Sequence, residues 1–430
     1  MKIFSVVLAC VFLSETEATF CEEDYHVIDN VCVACPSGES NLEGDDPTGE
    51  DTSCDTCRIT TKQELKDHVD RWITNSSTTS CGEVIGDWEV GRVTDMSNLF
   101  YGKSTFNADI SNWNTASVTS MLAIFGYASS FTGDGVSNWN TSRVTNLLAA
   151  FSHATSFTGD GLLNWDTSKV TSLFYTFYGA TSFTGDGLLH WDTSRVTDLT
   201  ETFSFATSFT GDGLLYWNTS SVTALINPNT YYGAFYSATS FTGDGLINWD
   251  MSRVTDLSGA FHLCSSFTGD GLINWDTSGV TSLRETFEGA SAFTGDGLLN
   301  WDTSRVTDLY RTFKDVSSFT GDGLINWNTA SVSSMSHTFF HASSFTGDGV
   351  SNWNTSRVTE LRSAFSGATA FTGHGVSNWD ISSVTTLELA FYNATSLTGD
   401  AISTWDTSSV TTLELAFYNA TSLTGDAIST

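Results

Sequence analysis

WDTSKVTSLFYTFYGATSFTGDGLLH, running from Trp165 to His190, is one unit of a pattern that returns along most of the chain. Thirteen tryptophans, from Trp88 through Trp113, Trp139 and Trp165 to Trp379 and Trp405, head such units at a spacing of 26 residues, with one departure of 25 and one of 32. A unit this short cannot bury its own apolar side chains. Stacked neighbours bury them for one another, so the repeat predicts a solenoid of about 13 coils. Solenoids bind through extended faces and rarely carry a single catalytic cleft, which points away from an enzyme.

Within the unit, Val170, Leu173, Phe177 and Ala180 recur close to the helical period and predict a helical segment, with Ser168 placed to cap it. Thr184-Gly185-Asp186-Gly187 has turn chemistry, and the short apolar run Leu188-Leu189-His190-Trp191 predicts a strand. Strand, turn and helix within one coil make the expected class α/β: a leucine-rich-repeat-like solenoid with short parallel strands and helical turns, preceded by a small disulfide-rich module.

The residues Trp165-Asp166-Thr167-Ser168, Val170-Thr171, Leu173, Phe177, Ala180 and Phe183, with their copies from about Gly82 to Thr430, closely resemble the 26-residue surface-protein repeat, the BspA-like leucine-rich-repeat family. The resemblance implies a secreted or surface-displayed adhesion or interaction protein. Thr-Gly-Asp-Gly stands where that pattern more often has a polar Asn/Gln-Asp, so no binding residue is carried over.

Residues 1–18, with the apolar run Ile3 to Leu13 and a small-residue site at Ala18, read as a secretory signal peptide. No later stretch approaches the ~20 apolar residues of a transmembrane helix, so no membrane insertion of the mature chain is expected. Residues 19–59 form a cysteine-rich segment. Cys21, Cys32, Cys35, Cys54, Cys57 and Cys81 are an even set, and their two C-x2-C pairs fit either zinc-ligand spacing or, in an oxidising compartment, a disulfide framework, the favoured reading. Cys32 to Gly38 with Asp51 to Cys54 resembles small extracellular modules of the EGF or TNF-receptor type. Over residues 60–87, Thr61 and Glu64 have capping-box spacing, and Leu65, Val69, Trp72 and Ile73 share a helical face. That helix is expected to cover the open edge of the array at 88–430.

The formal charge of −32, from 49 acidic against 17 basic residues, argues against nucleic acid and anionic membranes as partners. Cations and basic surfaces remain, and the resemblance makes an extracellular protein or glycan the expected partner. Much of the charge is ordered: Asp134, Asp160, Asp186, Asp212, Asp244, Asp270, Asp296, Asp322 and Asp348 share one position of the unit, and Asp166, Asp192, Asp250, Asp276, Asp302, Asp380 and Asp406 share another. Such ladders could hold calcium or a basic ligand, or each carboxylate could simply close its own turn, which the Thr-Gly-Asp-Gly chemistry favours. No cofactor is required by any motif.

The 32-residue unit from Trp217 carries six extra residues near Ala224 to Gly233, with Pro228 and the pair Tyr231-Tyr232 as candidate ligand-binding residues, although a tolerated bulge is the simpler expectation. Asn75, Asn140, Asn218, Asn354, Asn393 and Asn419 are sequons that would carry glycan in a glycosylating host. The histidines are scattered over the unit, and Cys264 stands where other coils have a small residue, so neither suggests a catalytic constellation. The sequence thus predicts adhesion or ligand recognition, the alternative being a structural or ice-binding protein whose Thr ladders order water.

Overall fold

The computed structural model describes residues 25–28, 31–34, 59–76 and 81–423. The chain divides into two units, the first comprising residues 1–94 and 112–117 and the second 95–111 and 118–430. The signal-peptide reading and most of the cysteine-rich segment lie outside the described residues.

In the first unit, β1 (Tyr25–Ile28) and β2 (Val31–Ala34) pair antiparallel. The helix α1 (Lys62–Thr74) starts where its capping box predicts: Thr61 accepts from the Glu64 N–H, and the Glu64 side chain accepts from the Thr61 N–H. Leu65 and Val69 are buried, and the His68 ring meets the first tryptophan of the array, Trp88, edge-on at 6.0 Å. The Trp72 indole donates to the Glu83 carbonyl at 2.7 Å, which fixes the chain leaving the helix.

In the second unit most coils bury three aromatic columns. Trp165 stacks on Trp191 at 6.5 Å with planes 3° apart, Phe177 on Phe203 at 5.7 Å, and Phe183 on Phe209 at 5.8 Å. Within the coil Phe177 and Phe183 lie 4.0 Å apart. All are almost fully buried. Burial of one such side chain stabilises by about 1.5–3 kcal/mol, and a column shares that gain between neighbours that could not fold alone. Each indole N–H still needs an acceptor. Trp165 donates to the Val136 carbonyl of the preceding coil, and Trp191 to that of Leu162.

The expected helix is not formed. From Leu173 to Ala180 the chain makes overlapping turns, with Thr176 N–H on the Leu173 carbonyl, Tyr178 on Tyr175 and Ala180 on Phe177. The alternate amides of Leu173, Tyr175, Phe177 and Gly179 instead donate to the carbonyls of Asp198, Thr200, Thr202 and Ser204 in the next coil. A helix would have used every amide within its own coil. The ribbon uses half of them between coils, and the inter-coil peptides of this ladder all point the same way. The apolar spacing suits a helix equally well, because two successive turns also bring Leu173, Phe177 and Ala180 to one side.

The expected strand over Leu188 to Trp191 is also replaced. Asp186–Leu188 is a single 3-10 turn, closed by Leu188 N–H on Gly185 and followed by Trp191 N–H on Leu188. Gly185 has φ 101°, and an added Cβ would lie 2.5 Å from the Phe209 ring; one at Gly187 would collide with the Gly159 carbonyl. Parallel pairing is confined to isolated bridges elsewhere in the unit, such as Ser172 with Asp198 and Asp198 with Ala224. Ser168 caps no helix: its N–H donates to Asp166 at 3.0 Å. Among the described residues the array is therefore a solenoid of turns and 3-10 triplets, and the α/β assignment with strands and helical turns gives way to it.

A candidate recognition face on the turn ribbon

The ribbon geometry singles out two positions in every coil. In a turn whose second central residue has positive φ, that residue is ordinarily glycine or asparagine. Here it falls ten and fourteen residues after the tryptophan, as at Tyr175 (φ 57°) and Gly179 (φ 68°) in the coil of Trp165. Every non-glycine residue with positive φ among the described residues lies at one of these two positions or in the inserted loop and the coil that bears it. Their identities are diverse: Tyr127, His153, Tyr175, Glu201, Phe205, Tyr231, Leu263, Glu285, Arg311, Asp315, His337, His341 and Leu389 among them. A left-handed conformation costs a side-chain-bearing residue about 1–2 kcal/mol. The rest of the unit repeats with little change, while these positions carry chemistry at an energetic disadvantage.

The side chains on this ribbon form a continuous stripe in the second unit. Tyr101 meets Tyr127 at 5.4 Å, Tyr127 meets His153 at 4.3 Å, His153 meets Tyr178 at 5.1 Å and Tyr178 meets Phe205 at 5.4 Å. Phe205 contacts both Tyr232 and Tyr236, and Tyr236 leads on to His262 at 4.6 Å. Tyr101 and Tyr127 are exposed, and the following rings are half-buried. Burial pushes the Tyr175 and Tyr236 phenols up to about 12, aided for Tyr175 by its hydrogen bond to Glu201, so both are neutral donors at ordinary pH.

The insertion belongs to this stripe. Its chain folds back through an antiparallel bridge between Ile226 and Gly233, with Asn227 N–H on the Tyr232 carbonyl. It is tied down by Glu201, whose Oε1 accepts from Tyr175 at 3.0 Å, Asn227 at 2.9 Å and Thr230 at 3.2 Å. The two tyrosines separate: Tyr232 stacks on Tyr236 at 4.0 Å, whereas Tyr231 is exposed and lies 5.1 Å from the Arg284 guanidinium.

Beyond the insertion the stripe becomes charged. Arg284 reaches Glu285 at 3.4 Å and Asp308 at 3.8 Å, Lys314 binds Glu288 and also lies 3.3 Å from Asp315, and Arg362 binds Glu388 at 2.7 Å. The Arg284 and Arg311 guanidinium groups flank the Tyr310 ring at 4.0 and 4.8 Å. Burial raises the Glu285 carboxyl, with the neighbouring Glu288 charge adding to it, and burial lowers the His262 imidazole. His337 is pushed down to about 4 by burial and by Arg311, Arg362 and Lys314 around it.

The aspartate ladders sit elsewhere on the coil. Asp134, Asp160, Asp186, Asp212, Asp244, Asp270, Asp296, Asp322 and Asp348 are exposed, and most accept from the threonine two residues earlier, as Asp186 does from Thr184 at 3.3 Å. Those following tryptophan close turns onto serine. The Ser168 hydroxyl and N–H hold Asp166 below the usual carboxylate range, and the same arrangement recurs at Asp192, Asp250, Asp276, Asp302, Asp380 and Asp406. Among the described residues, neither ladder brings three carboxylate, imidazole or thiol groups together around one point. Where His374 replaces aspartate, its ring lies 3.0 Å from Asp348 beside an open cavity of about 390 Å³.

The threonine ladders face inward through their hydroxyl protons. Thr197 donates to the Thr171 carbonyl and Thr281 to that of Thr255, each 26 residues back. Asn140, Asn218 and Asn354 are exposed but each accepts from the serine two residues on. Asn75 and Asn419 are exposed, and Asn393 is half-buried. Cys264 is free, buried and donates to the Phe235 carbonyl at 2.9 Å, with its thiol pushed well up by burial. Cys32 and Cys81 each take part in a disulfide; Cys21, Cys35, Cys54 and Cys57 lie outside the described residues.

The reading of the sequence missed the face itself. His153 and His341, taken as scattered, share the second left-handed position. The signal was present in the variation of that position between otherwise uniform units.

Among the described residues, no helix is long and apolar enough to cross a membrane. No curated protein and no solved structure matches the chain. The family described as "Mycoplasma protein of unknown function, DUF285" matches residues 71–186, 145–227, 229–349 and 308–430. These matches span most of the chain, and the protein is a repeat protein belonging to the DUF285 family.

Proposed function

We propose that this chain is a secreted or surface-displayed recognition protein whose partner, an extracellular protein or glycan, docks along the turn ribbon. The observation that carries the reading is the set of varied side chains held at left-handed backbone positions. Glycine would relieve that conformation, yet tyrosine, histidine, arginine and glutamate stand there. Strain retained at defined positions is a mark of a functional surface. The aromatic half, from Tyr101 to His262, offers flat, half-buried rings suited to a protein or sugar face; the charged half offers guanidinium groups already held against Tyr310.

The N-terminal cysteine-rich segment, read as a disulfide module of EGF or TNF-receptor type behind a signal peptide, fits the same extracellular setting. Recognition, not catalysis, is the role supported, and no bound cofactor is needed for it. An ice-binding role receives less support, because ladder threonines such as Thr197 and Thr281 spend their protons on the preceding coil.

Binding of the full chain to cell-surface protein and glycan arrays tests the proposal. Capture of defined partners by the wild type and at least tenfold weaker capture by a Tyr127→Ser, Tyr231→Ser, Arg311→Ser variant is the expected result. Equal capture by both would remove the ribbon as the binding face.

A further inference from the structure

His262, Glu285 and Glu288 come from two successive coils and bring one ligand atom each within 4.8 Å of one another. Nδ1 of His262 lies 3.8 Å from Oε2 of Glu285. The two ends of this cluster are orphaned. Nδ1 of His262 and Oε2 of Glu288 are both buried and have no hydrogen-bond partner. The Glu288 side chain is only 8% exposed, and the Arg311 guanidinium stands 4.0 Å from its Oε2, beyond hydrogen-bonding distance. A buried carboxylate oxygen and a buried imidazole nitrogen without partners cost about 1–3 kcal/mol each, more for the charged group, so something should satisfy them.

The surrounding cations do not fill that role: two of them hold the opposite oxygens, and Arg311 stays at ion-pair distance, 3.9 Å from Oε1 of Glu285 and 4.0 Å from Oε2 of Glu288. Arg284 lies 3.4 Å from Oε1 of Glu285, and Lys314 binds Oε1 of Glu288. That leaves each Oε2 to the interior of the cluster and orients both carboxylates from outside, as outer partners orient metal ligands.

We propose that His262, Glu285 and Glu288 form a binding site for a divalent first-row cation such as zinc, with His262 Nδ1 and one oxygen of each glutamate as ligands. Ligand bonds of about 2.0–2.2 Å need the three atoms to draw together by roughly 1 Å, a side-chain adjustment. Three protein ligands leave the fourth position of a tetrahedral ion to water, and the Tyr236 ring packs on His262 at 4.6 Å. The site lies on the ribbon but needs no partner to form, so it stands or falls separately from the recognition proposal.

The full chain with its disulfides intact, stripped with chelator, is titrated with zinc by calorimetry and with cobalt by absorption. One zinc per chain above any weak binding by the aspartate ladders is expected, with visible cobalt bands and no intense near-ultraviolet thiolate band. His262→Ala and the isosteric Glu288→Gln should each weaken that step at least tenfold while the circular dichroism of the array is kept. Should either variant fail to fold, the cobalt spectrum of the wild type still decides between oxygen–nitrogen and thiolate ligation. Absence of a stoichiometric step, a step unchanged in both variants, or a thiolate band would each overturn the site.

Discussion

Trp217 and Trp249 stack at 6.2 Å with planes 2° apart, although six extra residues lie in the coil between them. Trp191 and Trp217, without an insertion, stack at 6.4 Å and the same angle. The core column therefore passes the insertion undisturbed, and the extra chain is absorbed on the ribbon. The one trace in the core is the Trp249 indole N–H, buried without an acceptor.

Deletion of Asn227 to Tyr232 should consequently leave a folded array. It removes two of the three donors to Glu201, which is 1% exposed, and should lower stability by roughly 1–3 kcal/mol for that carboxylate. The same deletion with Glu201→Thr should recover most of the loss. Thermal melts of the two variants check this; collapse of both would show that the loop organises the coil. Partner binding should fall in both if Tyr231 belongs to the contact surface.

How far the sequence could be read follows from what its repeat constrains. Trp165, Leu173, Phe177 and Phe183 all lie in the core, and Thr61 and Glu64 start α1, because burial and capping leave direct marks in residue type. The backbone between them was misread, since Leu173 and Phe177 reach the core equally from a helix or from two overlapping turns. The difference lies in the amides of Tyr175 and Gly179, which bond to a neighbouring coil, and in the left-handed φ of residues that residue type alone would not place there. His262 and Glu288 are 26 residues apart, one coil spacing, and only the stacking brings them together.

Strain at the left-handed positions should be measurable. Ala149 has φ 55° and no long side chain to lose. Ala149→Gly should raise the melting temperature, with a gain of up to about 1 kcal/mol after the greater freedom of glycine in the unfolded chain is subtracted. A clear loss of stability would show that the position is unstrained and would weaken the argument for the face.

Acid should destabilise the array in two stages. For His337, held at about 4 against an ordinary value of 6.5, the folded state resists protonation, so its stability is complete above pH 6.5 and is lost as pH falls toward 4. Asp166 and its equivalents, held below the usual range, add a further loss below about pH 4. In alkali the sign reverses: the raised Tyr175 and Tyr236 contribute stability that is full below pH 10 and lost toward 12. Melts of the wild type and His337→Gln across pH 4 to 7 test the first stage; parallel profiles would remove His337 as its source.

Calcium should stabilise the array no more than sodium at matched ionic strength. The ladder carboxylates repeat once per coil, Asp186 and Asp212 each accept from their own threonine, and among the described residues no three carboxylates of the ladders converge on one point. Unit charges ~5 Å apart repel by about 0.8 kcal/mol in bulk water, a term that any salt screens. Replacing Asp186, Asp212 and Asp244 by Asn should therefore raise the melting temperature in low salt and lose that advantage in high salt. A calcium shift well beyond the sodium control, abolished by the triple replacement, would instead make the ladder a row of cation sites. With the zinc-binding step intact in that triple variant, the ladder and the His262 cluster would be separate in both position and chemistry.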